Sequence, residues 1–175
     1  MNPSNQMESS NRPMPRHIIS SDGKLLSLLG AAVRLKITSR ETLGAYCVCE
    51  GRLPPGSFVP LHYHAEVEAF IVLKGTLELL EMKGAQAEPF PVEAGEMAFI
   101  PSNAVHGFRN VSGVHVQLLI IGGPRIESFF VEAGTPQSQS NERESGEPDP
   151  SEFLRMLEVA KRHGQTFLGE SSLVG

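Results

Sequence analysis

The sequence predicts an all-β barrel or sandwich followed by one C-terminal α-helix. Three observations carry this reading. Between Arg16 and about Pro124 the chain is a succession of short apolar or alternating runs divided by Gly, Pro, Asn and Ser, which is the pattern of many short strands. The connections are too short for crossover helices, so neighbouring strands should run antiparallel. A clear helical period follows only near the end, behind a polar stretch.

Residues 1–15 are rich in Asn, Ser and Pro with little to bury, so they should form a mobile arm. The barrel is expected over 16–133. Val33, Leu35 and Ile37 alternate with Arg34, Lys36 and Thr38, a half-exposed strand. Further strands are expected at Tyr46–Leu53, Ala69–Leu73, Thr76–Met82, Glu96–Ile100, Gly107–Asn110 and Val114–Ile121. Residues 134–149 are polar, contain Pro and Gly and lack periodicity, as a linker would. The terminal segment 150–175 should hold a helix over about 150–163 and a short tail. Asp149 can cap this helix, with Pro150 at its first position, Glu152 three residues past the cap and Gly164 at its end. Phe153, Met156, Leu157 and Ala160 fall on one apolar stripe, and Glu158 precedes Arg162 by one turn on the wet side. The stripe should dock on the barrel or a partner subunit, as a structural element outside the reaction centre. No internal repeat is visible, and 175 residues fit a single core.

A formal net charge of -5 argues against nucleic acid, whose phosphates call for clustered Lys and Arg. No apolar run approaches the ~18 residues that would cross a bilayer. The first residues also lack the apolar stretch of a secretory leader, so a soluble, cytoplasmic protein is expected. Cys47 and Cys49 stand two apart on one strand, point the same way and should pack as small apolar side chains without bridging.

The chemistry concentrates in two stretches. The first is Gly56-Ser-Phe-Val-Pro-Leu-His62-Tyr-His64-Ala-Glu-Val-Glu68, closed by Gly75. Side chains two apart on a strand share a face, so His62 and His64 present their imidazoles side by side, and Glu68 follows after a bend. The second is Gly95-Glu-Met-Ala-Phe-Ile-Pro101-Ser-Asn103-Ala-Val-His106-Gly-Phe-Arg-Asn110, where a neighbouring strand can carry His106 to the same point.

These stretches resemble the paired motifs of the cupin superfamily. The first motif reads Gly, five residues, His-x-His, three or four residues, Glu, six residues, Gly. The second reads Gly, five residues, Pro-x-Gly, two residues, His, three residues, Asn. One departure is Asn103 in the place of the second motif's turn glycine, and Asn also enters the left-handed conformation readily. The resemblance implies a double-stranded β-helix, or jelly roll, with His62, His64, Glu68 and His106 holding one divalent transition metal ion (Fe, Mn, Co, Ni, Cu or Zn). Three imidazoles and a carboxylate suit such borderline ions and leave positions open for a ligand. The competing reading is a set of buried polar side chains with no metal, which would leave unpaired groups inside the barrel.

Phe70 and Val72 share the strand face of Glu68, and Phe108 that of His106, so these three should line a substrate pocket. Glu66, Arg109 and Arg125 read more simply as solvated, His115 as a strand residue, and His17 and His163 as tail and helix-end residues. The wider order of features, from Leu53-Pro-Pro-Gly56 to Phe167-Leu-Gly169, is similar to a bacterial subgroup of quercetin 2,3-dioxygenase-like cupins, although that subgroup often has four residues where three separate His64 from Glu68. That similarity implies a metal-dependent dioxygenase acting with O2 on an enolisable aromatic or flavonol-like small molecule, with Glu68 as catalytic base. The alternatives are a metal-dependent isomerase, cyclase or decarboxylase of secondary metabolism, and a non-enzymatic small-molecule-binding module. Open sheet edges point to a homodimer.

Overall fold

The computed structural model describes residues 14–138 and 150–168. Most of the arm expected over 1–15 and most of the linker expected over 134–149 therefore lie outside the described residues. Ten strands form the barrel proper: β1 (Lys24–Leu28), β2 (Ala31–Ile37), β3 (Cys47–Leu53), β4 (Phe58–His64), β5 (Glu68–Lys74), β6 (Thr76–Lys83), β7 (Gln86–Glu93), β8 (Met97–Ile100), β9 (His106–Arg109) and β10 (Val116–Gly122). Helix α1 (Pro124–Ala133), β11 (Thr135–Pro136), α2 (Pro150–Arg162) and β12 (Gln165–Phe167) complete the chain. One sheet has the order β11-β1-β2-β3-β10-β5-β8 and the other β12-β4-β9-β6-β7, with every pairing antiparallel. This is the expected double-stranded β-helix with a C-terminal helix.

Alternation builds the core. In β3 and β10 every second residue is buried, and Cys47, Cys49, Phe70, Val72, Leu77, Val116 and Leu118 are among the side chains packed between the sheets. Both cysteines are free and buried, as packing residues should be. The left-handed conformation anticipated for Asn103 is present, at φ 61°.

Two expectations need correction. Residues 124–133, included in the barrel without an element of their own, are a helix: Pro124 occupies the first turn, and Ile126, Phe129, Phe130 and Ala133 recur at helical spacing to form one packed face. Thr135 and Pro136, assigned to the linker, instead pair with Ser27 and Leu26 of β1. Asp149, the expected cap of α2, lies outside the described residues, and Glu152 accepts a hydrogen bond from the Leu29 N–H at 3.3 Å, which ties α2 to the β1–β2 hairpin.

Helix α2 does carry its apolar stripe inward, with Met156, Val159 and Ala160 buried against Phe129 and Ala133 of α1. Arg162 donates to Glu132 Oε1 at 2.6 Å, His163 Nε2 donates to Oε2 at 2.6 Å, and Arg155 donates to the Ala133 carbonyl at 2.6 Å. Among the described residues no helix is long and apolar enough to cross a membrane. Truncating Met156, 3 % exposed, to alanine should lower stability by about 2–5 kcal/mol. Reversible denaturant unfolding will measure this, and a change under about 0.5 kcal/mol would mean that α2 is not docked as described.

Candidate metal centre

Strand β4 supplies two of the histidines and β9 the third. The register pairs Val59 with Phe108 and His62 with His106, so two residues of β4, Pro60 and Leu61, oppose the single Gly107. This is a β-bulge, and a bulge is where a strand tolerates the missing donor of Pro60. The close approach needs a glycine: a Cβ on Gly107 would stand 2.8 Å from the Val59 carbonyl oxygen and 3.1 Å from the Leu61 nitrogen. The bulge resets the strand's phase so that His62 and His64 face inward opposite His106. Glu68 begins β5 on the other sheet, buried with Phe70 and Val72 on one face.

One ligand atom from each of His62, His64 and His106 can be chosen so that all lie within 4.8 Å of one another, and all three residues are buried. Each ring is oriented by the backbone. His62 Nδ1 lies 2.9 Å from the Pro60 carbonyl, His64 Nδ1 2.8 Å from the Glu66 carbonyl and His106 Nδ1 3.0 Å from the Ala104 carbonyl. A carbonyl only accepts, so each Nδ1 must carry the proton, and each neutral ring then turns the lone pair of Nε2 toward the centre. Glu68 Oε2 stands 3.2 Å from His64 Nε2 and 3.5 Å from His106 Nε2.

Such a convergence of acceptors needs a cation. Burial, aided by His106, pushes the His62 pKa down to about 4, so this ring stays neutral. Burial also lowers His64, but the hydrogen bond and charge of Glu68 outweigh it and the net shift is upward. For Glu68 burial acts to raise the pKa, yet His106 and His64 prevail and hold it at about 2. A proton between His64 and Glu68 would satisfy that pair alone. Nε2 of His106 remains buried without a hydrogen-bond partner, a costly state. A metal ion at the centre would satisfy all three nitrogens at once, so the donor set fits the group that the motifs imply.

A cavity of about 100 Å³ opens beside the histidines, lined by Phe70, Phe108, Ile126, Phe129, Met156 and Phe167 among others. Phe70 and Phe108 both line it, 5.4 Å apart edge to face. Val72 does not line it: one step further along β5, it is fully buried among core side chains. His17, His115, Arg109 and Arg125 are likewise absent from the lining, and Arg109 pairs with Glu78.

Two parts of the surroundings escaped the sequence reading. Glu66 is not simply solvated, because its carboxylate receives the Arg125 N–H at 3.1 Å and the Ile126 N–H at 2.9 Å, capping the start of α1. The same residue's carbonyl holds His64, so one loop joins the histidine to the cavity wall. The second is the C-terminal segment, expected to stand outside the reaction centre. Strand β12 pairs with β4, placing Gln165 opposite His64 and Phe167 opposite His62. Phe167 stacks on His62 with ring centroids 4.8 Å apart, and Met156 of α2 joins the lining. Gly-Pro before a helical period signals α1, whereas three residues after Gly164 are too few for a strand signal.

Residues 50–122, spanning β4 through β9, match the cupin domain family. His62, His64, Glu68 and His106 all lie within the stretch that matches this family. Auxin-binding protein 1 of Arabidopsis thaliana is 39% identical over 84 residues, 45% of this chain and 42% of that protein. The chain spans less than half the length of the curated relatives it matches. Among solved structures, the polyketide cyclase RemF from Streptomyces resistomycificus superposes with a TM-score of 0.54 and 23% identity, covering 63% of this chain and 80% of that one. A predicted oxalate decarboxylase from Thermotoga maritima gives 0.52 and 21%, covering 62% and 98%. At these identities the structural matches speak for the cupin fold alone.

Gly107→Ala tests the bulge. Because the added methyl meets backbone, the variant should lose about 1–3 kcal/mol of stability and bind metal more weakly than wild type. Thermal unfolding and metal titration check this, and unchanged affinity would show that the bulge does not set the histidine positions.

Proposed function

We propose that this chain is a metal-dependent cupin enzyme that acts on a small enolisable compound, with O2 as co-substrate. The observation that carries the reading is the convergence of three buried Nε2 lone pairs beside a carboxylate, each ring locked through Nδ1 to a backbone carbonyl. Bound there, a divalent transition metal would supply Lewis-acid activation of an oxygen ligand.

The remaining work falls to the chain's own side chains. Glu68, ionised and directed at the same centre, is placed to join the metal ligands or to take the proton of an enolisable substrate as general base. Phe70, Phe108 and Phe167 hold the apolar body of the substrate and exclude water. Cavity size favours a compact molecule over a flavonol: about 100 Å³ compares with the ~150 Å³ that holds benzene in an engineered cavity. A second reading, binding without turnover, is favoured by the likeness to auxin-binding protein 1.

The homodimer remains part of the proposal. Strand β8 ends its sheet, and Met97 and Phe99 on it are 62% and 65% exposed, an apolar edge that a second copy would cover.

Elemental analysis of protein purified without added metal should find close to one transition metal per chain. His62→Ala and His106→Ala should each reduce this well below one. Glu68→Gln should retain more metal than either while losing nearly all turnover, read as oxygen uptake with β-dicarbonyl or enediol substrates. Full metal occupancy in a His62/His64 double alanine variant would refute the centre, and ligand binding without oxygen uptake would select the second reading.

A further inference from the structure

We propose that Gln165, on the C-terminal strand, is the substrate-positioning and specificity-determining residue of this cavity, and that the cavity takes a small monoanionic chelating compound with an apolar body. This rests on the metal reading above. The position of Gln165 follows from the register. In β12 residues 165 and 167 share a face, opposite His64 and His62 of β4. Phe167 stacks on His62, so that face turns to the metal end of the cavity. Gln165 lines the cavity and is 6% exposed. Among the described residues its amide forms no hydrogen bond, although an amide offers two donors and an acceptor. The amide is not among the fully enclosed atoms without a partner, so within this lining it can be met by a ligand in the cavity.

The charge of the cavity sets the ligand class. Among the described residues its ionisable lining is His62, His64 and Glu68, with no Lys or Arg. A divalent ion with three neutral imidazoles and one carboxylate leaves a single net positive charge. One monoanion, such as an enolate, neutralises it. A dianion would leave a negative charge enclosed by Phe, Ile and Met side chains with no cation to meet it. The ligand therefore presents one anionic oxygen pair to the metal and an apolar body to Phe70, Phe108 and Phe129. Gln165 receives or donates the remaining hydrogen bond and fixes which way round the ligand lies.

Cobalt-loaded full-length protein, titrated by visible absorption, tests this with three probes. Acetylacetone stands for a compact monoanionic chelate, oxalate for a dianionic one and azide for a ligand small enough to read the metal alone. Wild type should bind acetylacetone at least about tenfold more tightly than oxalate. Gln165→Leu should weaken acetylacetone by about tenfold, the loss typical of an unmet buried hydrogen bond. Cobalt stoichiometry and azide affinity should stay unchanged. Gln165→Glu keeps the shape, adds a negative charge and should weaken acetylacetone still further, which provides a second variant should leucine impair folding. Equal acetylacetone affinity in wild type and both variants would overturn the role of Gln165. A parallel loss of azide and acetylacetone would make it merely structural, and oxalate binding as tight as acetylacetone would overturn the charge assignment. A wild-type chain that takes up no cobalt would instead sink the metal reading itself.

Discussion

Three hydrogen bonds from Nδ1 of histidine to backbone carbonyls fix the chemistry of this molecule. Pro60, Glu66 and Ala104 supply the carbonyls, and none of them can donate. The protonated nitrogen of each ring is thereby settled, and three lone pairs meet beside the carboxylate of Glu68. Within an apolar barrel this arrangement is tolerable only around a positive charge. One proton serves the His64–Glu68 pair but leaves His106 Nε2 unmet. The centre could thus hold an ion that accepts from several directions.

The barrel delivers this geometry through local irregularity more than through its regular strands. An unbroken β4 would keep one alternation from Phe58 to His64, and the bulge against Gly107 changes the phase between Val59 and His62. The loop after β4 has a double role, since Glu66 orients His64 by its carbonyl and α1 by its carboxylate. At Gly123 a Cβ would stand 2.2 Å from that carboxylate, so the glycine lets the two segments meet. Helices α1 and α2, clamped to each other through Glu132, then close the apolar side of the cavity. Packing far from the histidines and the shape of the cavity are parts of one arrangement.

What was legible in the sequence was whatever depends on residue type at fixed spacing. His62, His64, Glu68 and His106 announce themselves because several positions must agree at once, and the alternating runs of β2, β3 and β5 reveal the barrel. Phe70 follows from the face of Glu68. Val72 shows the limit of that inference, because sharing a face does not say how far along the strand the cavity extends. Gln165 and Phe167 were illegible for a different reason. Strand β12 is three residues long and owes its conformation to the edge of β4, a contact about 100 residues distant in sequence that no local pattern encodes. Glu66 reads as an ordinary loop carboxylate until the start of α1 lies beside it.

Nitrogen NMR of protein labelled with 15N-histidine and loaded with zinc reads the protonation of each ring nitrogen directly. Three imidazoles should carry the proton on Nδ1 and shift at Nε2 when zinc is added. His17, His115 and His163 should be unmoved. Coordination through Nδ1, or fewer than three shifted rings, would contradict this assignment.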